Sequence, residues 1–234
     1  MKDKFSIIIP IYNEAENILK LVREIIKTLE NNYLYEIIIV DDFSNDKTQE
    51  ILKSSYFSDC QIIRHKKNKG QSESIRTGIL LSKYNSIITL DGDLQNDPSD
   101  IPKLIDIYQN KEINYDLVGG VRKKRMDNLI KKISSLFANY VRKFILNDDC
   151  NDTGCGLKIF TKIIFLEFPF FNGIHRFLPA LFKGYGYNTI FINVNHRKRV
   201  AGLSKYGTLT RLYFGIIDII KVKKIINKQK AKHV

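Results

Sequence analysis

The first half of the chain alternates short, continuous apolar runs with amphipathic segments. Runs rich in Ile and Val predict strands, and apolar residues at helical spacing predict helices between them. The predicted strands are 5–10, 36–42, 61–65, 86–92 and 116–121. The predicted helices cover about 14–30, a stretch that begins near 45, then 71–83 and 99–110. Continuously apolar strands are typical of parallel sheets, so we predict an α/β fold: an open, mostly parallel, Rossmann-like sheet with helices on both faces.

The second half has a different pattern, with two basic amphipathic helices predicted over 126–146 and 208–230. Each alone is typical of a helix that packs its apolar side on a core. Two of them in one small protein favour contact with a membrane surface. The expected apolar side of the second helix comprises Leu209, Leu212, Tyr213, Ile216 and Ile220. No linker or repeat interrupts the chain, so we expect one domain over residues 1–234.

Composition narrows the class of protein. The chain of 234 residues is 44% hydrophobic and 27% charged, which is typical of a globular domain. No apolar run approaches the ~20 residues that a membrane-spanning helix needs, and the N-terminal segment does not resemble a secretory signal. The three cysteines predict reduced thiols in a cytosolic protein rather than a zinc site. The net charge of +13 indicates an anionic partner, with nucleic acid, anionic lipid and phosphorylated substrates as candidates.

Acidic residues follow three of the predicted strands, although the protein as a whole is basic. Glu14 follows the first strand, Asp41 and Asp42 end the second, and Asp91 and Asp93 follow the fourth in the sequence ITLDGDLQNDP. The carboxyl ends of parallel strands meet at one edge of a sheet, where such carboxylates repel one another unless a cation lies between them. Oxygen ligands suit a divalent metal, and Gln95 offers a further oxygen. Taken alone, the Asp-Gly-Asp sequence is equally typical of a solvated turn.

Four segments of the first half resemble the donor-binding half of family 2 inverting glycosyltransferases of the GT-A fold. They are SIIIPIYNEAENI, IIIVDDFSNDKT, NKGQSESIRTGI and TLDGDLQNDP. Three later segments resemble a narrower branch of this family, the dolichyl- or polyprenyl-phosphate sugar synthases, which includes proteins like dolichol-phosphate mannosyltransferase. These segments are DTGCGLKIF, FFNGIHRFLPAL and NHRKRVAGLSKYG. The resemblance covers about residues 5–220. It implies a nucleotide-sugar-binding half over 5–121 and an acceptor and membrane-surface half over 122–234.

The resemblance also implies a role for individual residues of this sequence. Those implied to bind the nucleotide sugar are Pro10, Tyr12, Glu14, Asp42, Asp91, Asp93, Arg199 and Lys205. Those implied to hold Mg²⁺ or Mn²⁺ are Asp91, Asp93 and Gln95. Those implied to bind the acceptor phosphate are Arg122, Lys132 and Ser135. Asp93, Arg122 and Asp152 are the expected catalytic residues.

The acceptor decides what chemistry the site must perform. A hydroxyl acceptor has to lose a proton to a carboxylate, and Asp152 is the favoured base for that reaction. A phosphate monoester is ionised near neutral pH and needs cations instead, which Arg122 and its lysine neighbours offer. We therefore expect transfer of a sugar from a UDP- or GDP-linked donor to a polyprenyl phosphate. Asp152-Thr153-Gly154 is also a sequence that forms ordinary turns.

Two other functions are compatible with the sequence. The first is a related transferase that extends a cell-surface glycan or lipopolysaccharide through a hydroxyl acceptor. The second is a basic module that binds nucleic acid or anionic membrane, but no nucleic-acid-binding motif accompanies the charge, so no nucleic-acid partner is expected. The expected location is cytoplasmic, peripheral on the inner face of the cell membrane. A homo-oligomer is left open.

Overall fold

The computed structural model describes residues 4–123, 141–198 and 208–231, without the side chains of 208–214 and 216. The strands are β1 (Lys4–Ile11), β2 (Leu34–Asp41), β3 (Cys60–Arg64), β4 (Ser86–Thr89), β5 (Leu117–Arg122), β6 (Lys158–Thr161) and β7 (Thr189–Val194). The α-helices are α1 (Ile18–Leu29), α2 (Thr48–Leu52), α3 (Gln71–Leu81), α4 (Ile101–Tyr108), α5 (described over 141–146), α6 (Lys162–Glu167), α7 (Leu178–Gly184) and α8 (Thr208–Lys230). Short 3₁₀ helices cover Ser55–Phe57, Pro98–Asp100 and Ile174–Arg176.

The strands form one sheet in the order β3-β2-β1-β4-β6-β5-β7. In this described sheet, β6 runs antiparallel to both of its neighbours and every other pair is parallel. The predicted mostly parallel sheet is therefore confirmed. Since β6 and β7 come from the second half of the chain, both halves contribute strands to the same sheet.

Side chains of β1 alternate between two hydrophobic cores. Ile7, Ile9 and Ile11 pack in a core with residues of α1 and α4. Ile8 lies on the other face, in a core with residues of α3, α7 and α8. Both faces of the central strands are thus covered by helices, which explains why β1 and β2 are apolar without alternation.

Helix α3 packs unusually close to the sheet at Gly78. A Cβ atom on this residue would lie 2.5 Å from Cγ2 of Ile8 and 3.4 Å from Cγ2 of Val40. The absence of a side chain at this position sets the distance between α3 and the two strands. The N-terminus of α3 is consequently held near the carboxyl ends of β1 and β2.

Some elements differ from the sequence prediction. Strands β6 and β7 were not predicted, because β6 is only four residues long and begins with a lysine, while most of β7 is half-buried. Helix α2 is short, and a 3₁₀ turn follows it. The predicted helix over 126–146 lies outside the described residues except for its end.

Helix α8 is present over the predicted range. The side chains of the predicted apolar residues Leu209, Leu212, Tyr213 and Ile216 lie outside the described part of the structure, and the fifth, Ile220, is 52% exposed. The described part of the helix buries Ile219, Val222 and Ile226 instead, and Ile226 packs against Gly184 of α7. None of the helices in the described ranges is long and apolar enough to span a membrane.

We expect Gly78→Ala to lower the free energy of unfolding by about 1 to 2 kcal/mol, because the overpacking cost exceeds the gain in helix propensity. Gly215→Ala is the matched control, since nothing lies within 4 Å of a Cβ at that position in α8. The control should be stabilised by about 0.5 to 1 kcal/mol. Urea unfolding measures both. Equal stability of the two variants would contradict the close packing of α3.

Candidate active site

The loops that follow β1 and β2 are joined at the carboxyl edge of the sheet. Pro10 lies within β1 opposite Val40, and Tyr12 and Glu14 lie in the loop that follows. The Asn13 amide donates to the Ser44 hydroxyl at 2.9 Å, and the Glu14 amide donates to the Thr48 hydroxyl at 2.9 Å. The structure therefore brings the predicted donor-binding residues of β1 next to those of β2.

Asp42 connects the end of β2 to the loop before α3. Its Oδ1 lies 2.7 Å from Nδ1 of His65 and accepts a hydrogen bond from the Lys69 amide at 2.8 Å. Its Oδ2 accepts from the Gly70 amide at 2.7 Å, and Gly70 has a φ of +87°. The carboxylate thus positions the N-terminus of α3. Its predicted contact with a nucleobase stays a prediction.

Asp91 lies after β4, half-buried between Gln71 and Gly156. Its Oδ1 accepts from the Gln71 amide group at 2.7 Å, and a Cβ on Gly156 would lie 2.3 Å from its Oδ2. Burial and the neighbouring Asp93 raise the pKa of Asp91 to about 6, against the opposing effect of nearby cations. Two carboxylates are therefore held close together, as the sequence predicted, and the charge of Asp93 disfavours ionisation of Asp91.

The segment after β7 lies beside this acidic turn. His196 Nε2 is 3.4 Å from the Gln95 side-chain nitrogen, and His196 forms a β-bridge with Asn96. The other ring nitrogen of His196 is buried, and no hydrogen-bond partner for it occurs among the described residues. This histidine was not predicted as a site residue, because β7, which positions it, was not predicted.

Arg122 and Asp152 form a two-pronged ion pair. Arg122 ends β5, and its Nε and one terminal nitrogen donate to the two Asp152 oxygens at 2.5 Å and 2.7 Å. The side chains are 15% and 5% exposed. Two expected catalytic residues are therefore in direct contact. Both oxygens of the carboxylate already accept hydrogen bonds from the guanidinium.

Two buried cations anchor the loop that carries Asp152. Arg142 of α5 donates to Asp148 at 2.9 Å and to the Thr153 hydroxyl at 2.8 Å. Lys158 of β6, 4% exposed, donates to the carbonyl oxygen of Cys155. Neither cation was predicted as a site residue. A helical or strand pattern does not show that a charged side chain turns inward to satisfy loop carbonyls.

A cavity of about 640 Å³ opens beside Asp91. Its wall combines polar residues with the apolar side chains of Ile75, Leu90 and Leu178. The charged and titratable side chains of the wall include Asp91, Lys158, His175, Arg176 and Asp218. Arg176 lies 3.2 Å from Asp218 of α8, an acidic partner that the sequence did not reveal.

Four predicted residues, Lys132, Ser135, Arg199 and Lys205, lie outside the described residues. In the described part of the chain, no three His, Cys, Asp or Glu side chains are grouped as a metal site. The three cysteines are free.

Comparison with known proteins identifies relatives over almost the whole chain. It is 33% identical over 226 residues to a dodecaprenyl-phosphate galacturonate synthase of Rhizobium johnstonii, covering 94% of this chain and 66% of the relative. It is 35% identical over 221 residues to an undecaprenyl-phosphate 4-deoxy-4-formamido-L-arabinose transferase of Yersinia pestis, covering 93% of this chain and 66% of that protein. The chain thus spans slightly less than two thirds of the length of these relatives.

A solved structure shows the same fold at low sequence identity. Glucosyl-3-phosphoglycerate synthase from Mycobacterium tuberculosis, in complex with Mn²⁺, UDP-glucose and phosphoglyceric acid, superposes with a TM-score of 0.73 and 14% identity. The likeness covers 95% of this chain and 80% of the synthase, and it confirms the predicted fold class. The family profile of glycosyl transferase family 2 matches residues 6–170. This match spans well over half of the chain, which therefore belongs to glycosyl transferase family 2.

Proposed function

We propose that the protein transfers a sugar from a nucleotide sugar to a polyprenyl phosphate. The named activities of the relatives from Rhizobium johnstonii and Yersinia pestis support this reaction class. The proposal extends to this chain the acceptor chemistry in those names, a long prenyl chain that ends in a phosphate. The nucleotide is UDP or GDP.

The observation that carries the acceptor assignment is the Arg122–Asp152 pair. A base that deprotonates a hydroxyl acceptor needs a carboxylate oxygen directed at that hydroxyl. Here Arg122 occupies both Asp152 oxygens with short, charge-assisted hydrogen bonds. An ionised phosphate needs no base, and it is attracted by the guanidinium that Asp152 orients. This arrangement favours a phosphate acceptor over a hydroxyl acceptor.

A divalent cation, Mg²⁺ or Mn²⁺, fits the residues at the acidic edge. Burial, and after it the charge of Asp93, raise the pKa of Asp91, and a cation between the two carboxylates would offset both effects. The side-chain oxygen of Gln95 adds a ligand of suitable chemistry, and the His196 ring lies beside it, with Nε2 3.4 Å from the Gln95 side-chain nitrogen. When bound, the metal would supply Lewis-acid stabilisation of the leaving diphosphate.

The proposed donor site follows the ends of β1, β2 and β4. Pro10, Tyr12 and Glu14 line the β1 side, and Asp42 fixes the loop that faces them. Arg199 and Lys205 are proposed to cover the diphosphate, and Lys132 and Ser135 to assist Arg122 at the acceptor phosphate. The residues up to 121 thus hold most of the donor, with Arg199 and Lys205 added from the second half, and the acceptor phosphate is held by residues from 122 onward.

The acceptor implies where the protein acts. A polyprenyl phosphate is confined to a membrane, so the site has to approach the lipid surface. The basic residues of α8, among them Lys221, Lys224 and Lys228, suit an anionic surface. We therefore place the protein on the inner face of the cell membrane as a peripheral protein, as a monomer or as a homo-oligomer.

The direct test offers radiolabelled UDP- and GDP-sugars to the protein with undecaprenyl phosphate and Mn²⁺ or Mg²⁺. We expect label in the lipid fraction, and a loss of about 100-fold or more for Asp93→Ala with an unchanged melting temperature. Asp106→Ala, at an exposed position on α4, is the charge-matched control and should retain activity. Transfer to glycan hydroxyls alone, or full activity of Asp93→Ala, would refute the proposal.

A further inference from the structure

His175 lies in the wall of the cavity beside Asp91 and takes no part in the mechanism proposed above. Its Nδ1 lies 2.7 Å from the hydroxyl oxygen of Ser72, on the first turn of α3. The same hydroxyl oxygen accepts a hydrogen bond from the Gly173 amide at 2.7 Å. Two segments about a hundred residues apart therefore fix the orientation of the imidazole ring.

The contacts of Ser72 determine which ring nitrogen carries the proton. Ser72 is 1% exposed, so its hydroxyl proton has to be donated inside the protein. Gly173 is a donor and does not accept it, and the acceptor within reach is His175 Nδ1. A neutral imidazole that accepts at Nδ1 carries its proton on Nε2. The ring therefore presents an N–H donor from its other edge.

The surroundings keep the imidazole neutral. Burial, with further contributions from Arg176 and Lys158, lowers the pKa of His175 to about 3. The acidic side chains of the wall do not offset this effect, since Asp218 pairs with Arg176 and Asp91 accepts from Gln71. His175 thus acts as a fixed, uncharged donor across the physiological pH range.

The charges of the cavity indicate an uncharged ligand group. Asp218 pairs with Arg176, and Asp91 offsets the charge of Lys158, so the two acidic and two basic side chains of the wall balance. The apolar side chains of Ile75 and Leu178 suit the carbon face of a sugar ring. Asp91 belongs both to this wall and to the proposed metal and diphosphate site. The group attached to that diphosphate, which is the transferred sugar, therefore reaches the cavity.

We propose that His175 determines sugar specificity by donating its Nε2 hydrogen to an oxygen of the transferred sugar, in an orientation set by Ser72 and Gly173. The inference rests on the proposed function, since it takes the ligand to be a nucleotide sugar. It assigns the histidine to recognition rather than to proton transfer.

The neutral state can be tested through stability. The pKa of His175 is about 3 in the folded protein, below its ordinary value near 6.5, so between these values the unfolded chain binds about one proton more. The contribution of His175 to the free energy of unfolding should therefore fall as the pH drops below 6.5, whereas the raised pKa of Asp91 contributes in the opposite direction. Comparison with His175→Gln isolates the histidine, because this variant should lose the His175 contribution of up to about one proton. Urea unfolding at pH 7.5, 6 and 5 measures it. If the free energy of unfolding had the same pH dependence in the wild type and in His175→Gln, a neutral His175 would be contradicted.

The recognition role can be tested by kinetics with the nucleotide sugar that the wild type uses and with its monodeoxy analogues. His175→Phe keeps a ring without a donor, and we expect its kcat/KM to fall about tenfold, mainly through KM. His175→Gln restores a donor near the Nε2 position and should recover most of the loss. With one of the monodeoxy sugars, the kcat/KM of the wild type should fall to that of His175→Phe with the complete sugar. The kcat/KM of His175→Phe should be no lower with this monodeoxy sugar than with the complete one.

The outcomes separate the inference from the function on which it rests. The inference would be overturned if His175→Phe and His175→Gln lowered kcat/KM equally. It would also be overturned if His175→Phe lowered kcat/KM by the same factor with every deoxy sugar. In both cases sugar transfer itself would persist. No wild-type turnover with any nucleotide sugar would overturn the proposed function and the inference with it. Ser72→Ala, which removes the orienting hydroxyl, should raise KM in the same direction as His175→Phe.

Discussion

The enclosure of Asp91 is the constraint on which the rest of the site depends. Its carboxylate lies against the backbone of Gly156, where a Cβ atom would overlap it, and it accepts a hydrogen bond from Gln71. Three segments far apart in the sequence, after β4, before β6 and at the start of α3, therefore meet around one acidic group. In a protein with a net charge of +13, a partly buried carboxylate at this position is best explained by the binding of a cation.

Charged side chains hold this edge together as structural elements. Asp42 binds backbone amides before α3, and Arg142 and Lys158 bind oxygens of the loop that carries Asp152. Each of these groups is largely buried. Removing one partner of such a contact leaves a buried charge without compensation, which is far more costly than losing a surface ion pair. The loops of the site are thereby kept in one arrangement before any ligand binds.

The sequence predicted the parts of the molecule that local patterns encode. The strands with continuous Ile and Val, the helices between them and the acidic residues at the ends of β2 and β4 are visible in short windows. The pairs that join distant segments are not, and examples are Arg122 with Asp152, Ser72 with His175, and Arg176 with Asp218. Strand β7 was not predicted because most of it is only half-buried, and His196, which follows it, was therefore not predicted as a site residue. Chemistry-bearing residues were thus recognisable by type, whereas their partners depend on the tertiary fold.

The central claim is that Asp91 and its neighbours hold a divalent cation together with a nucleoside diphosphate. Calorimetric titration of UDP and of GDP, with and without Mn²⁺, tests it on the wild type and on Gly156→Ala, whose new methyl group displaces the Asp91 carboxylate. The account predicts that one nucleotide binds only when Mn²⁺ is present, and that Gly156→Ala weakens this binding about tenfold or more. Binding of equal affinity without metal, or an unchanged affinity in Gly156→Ala, would contradict it.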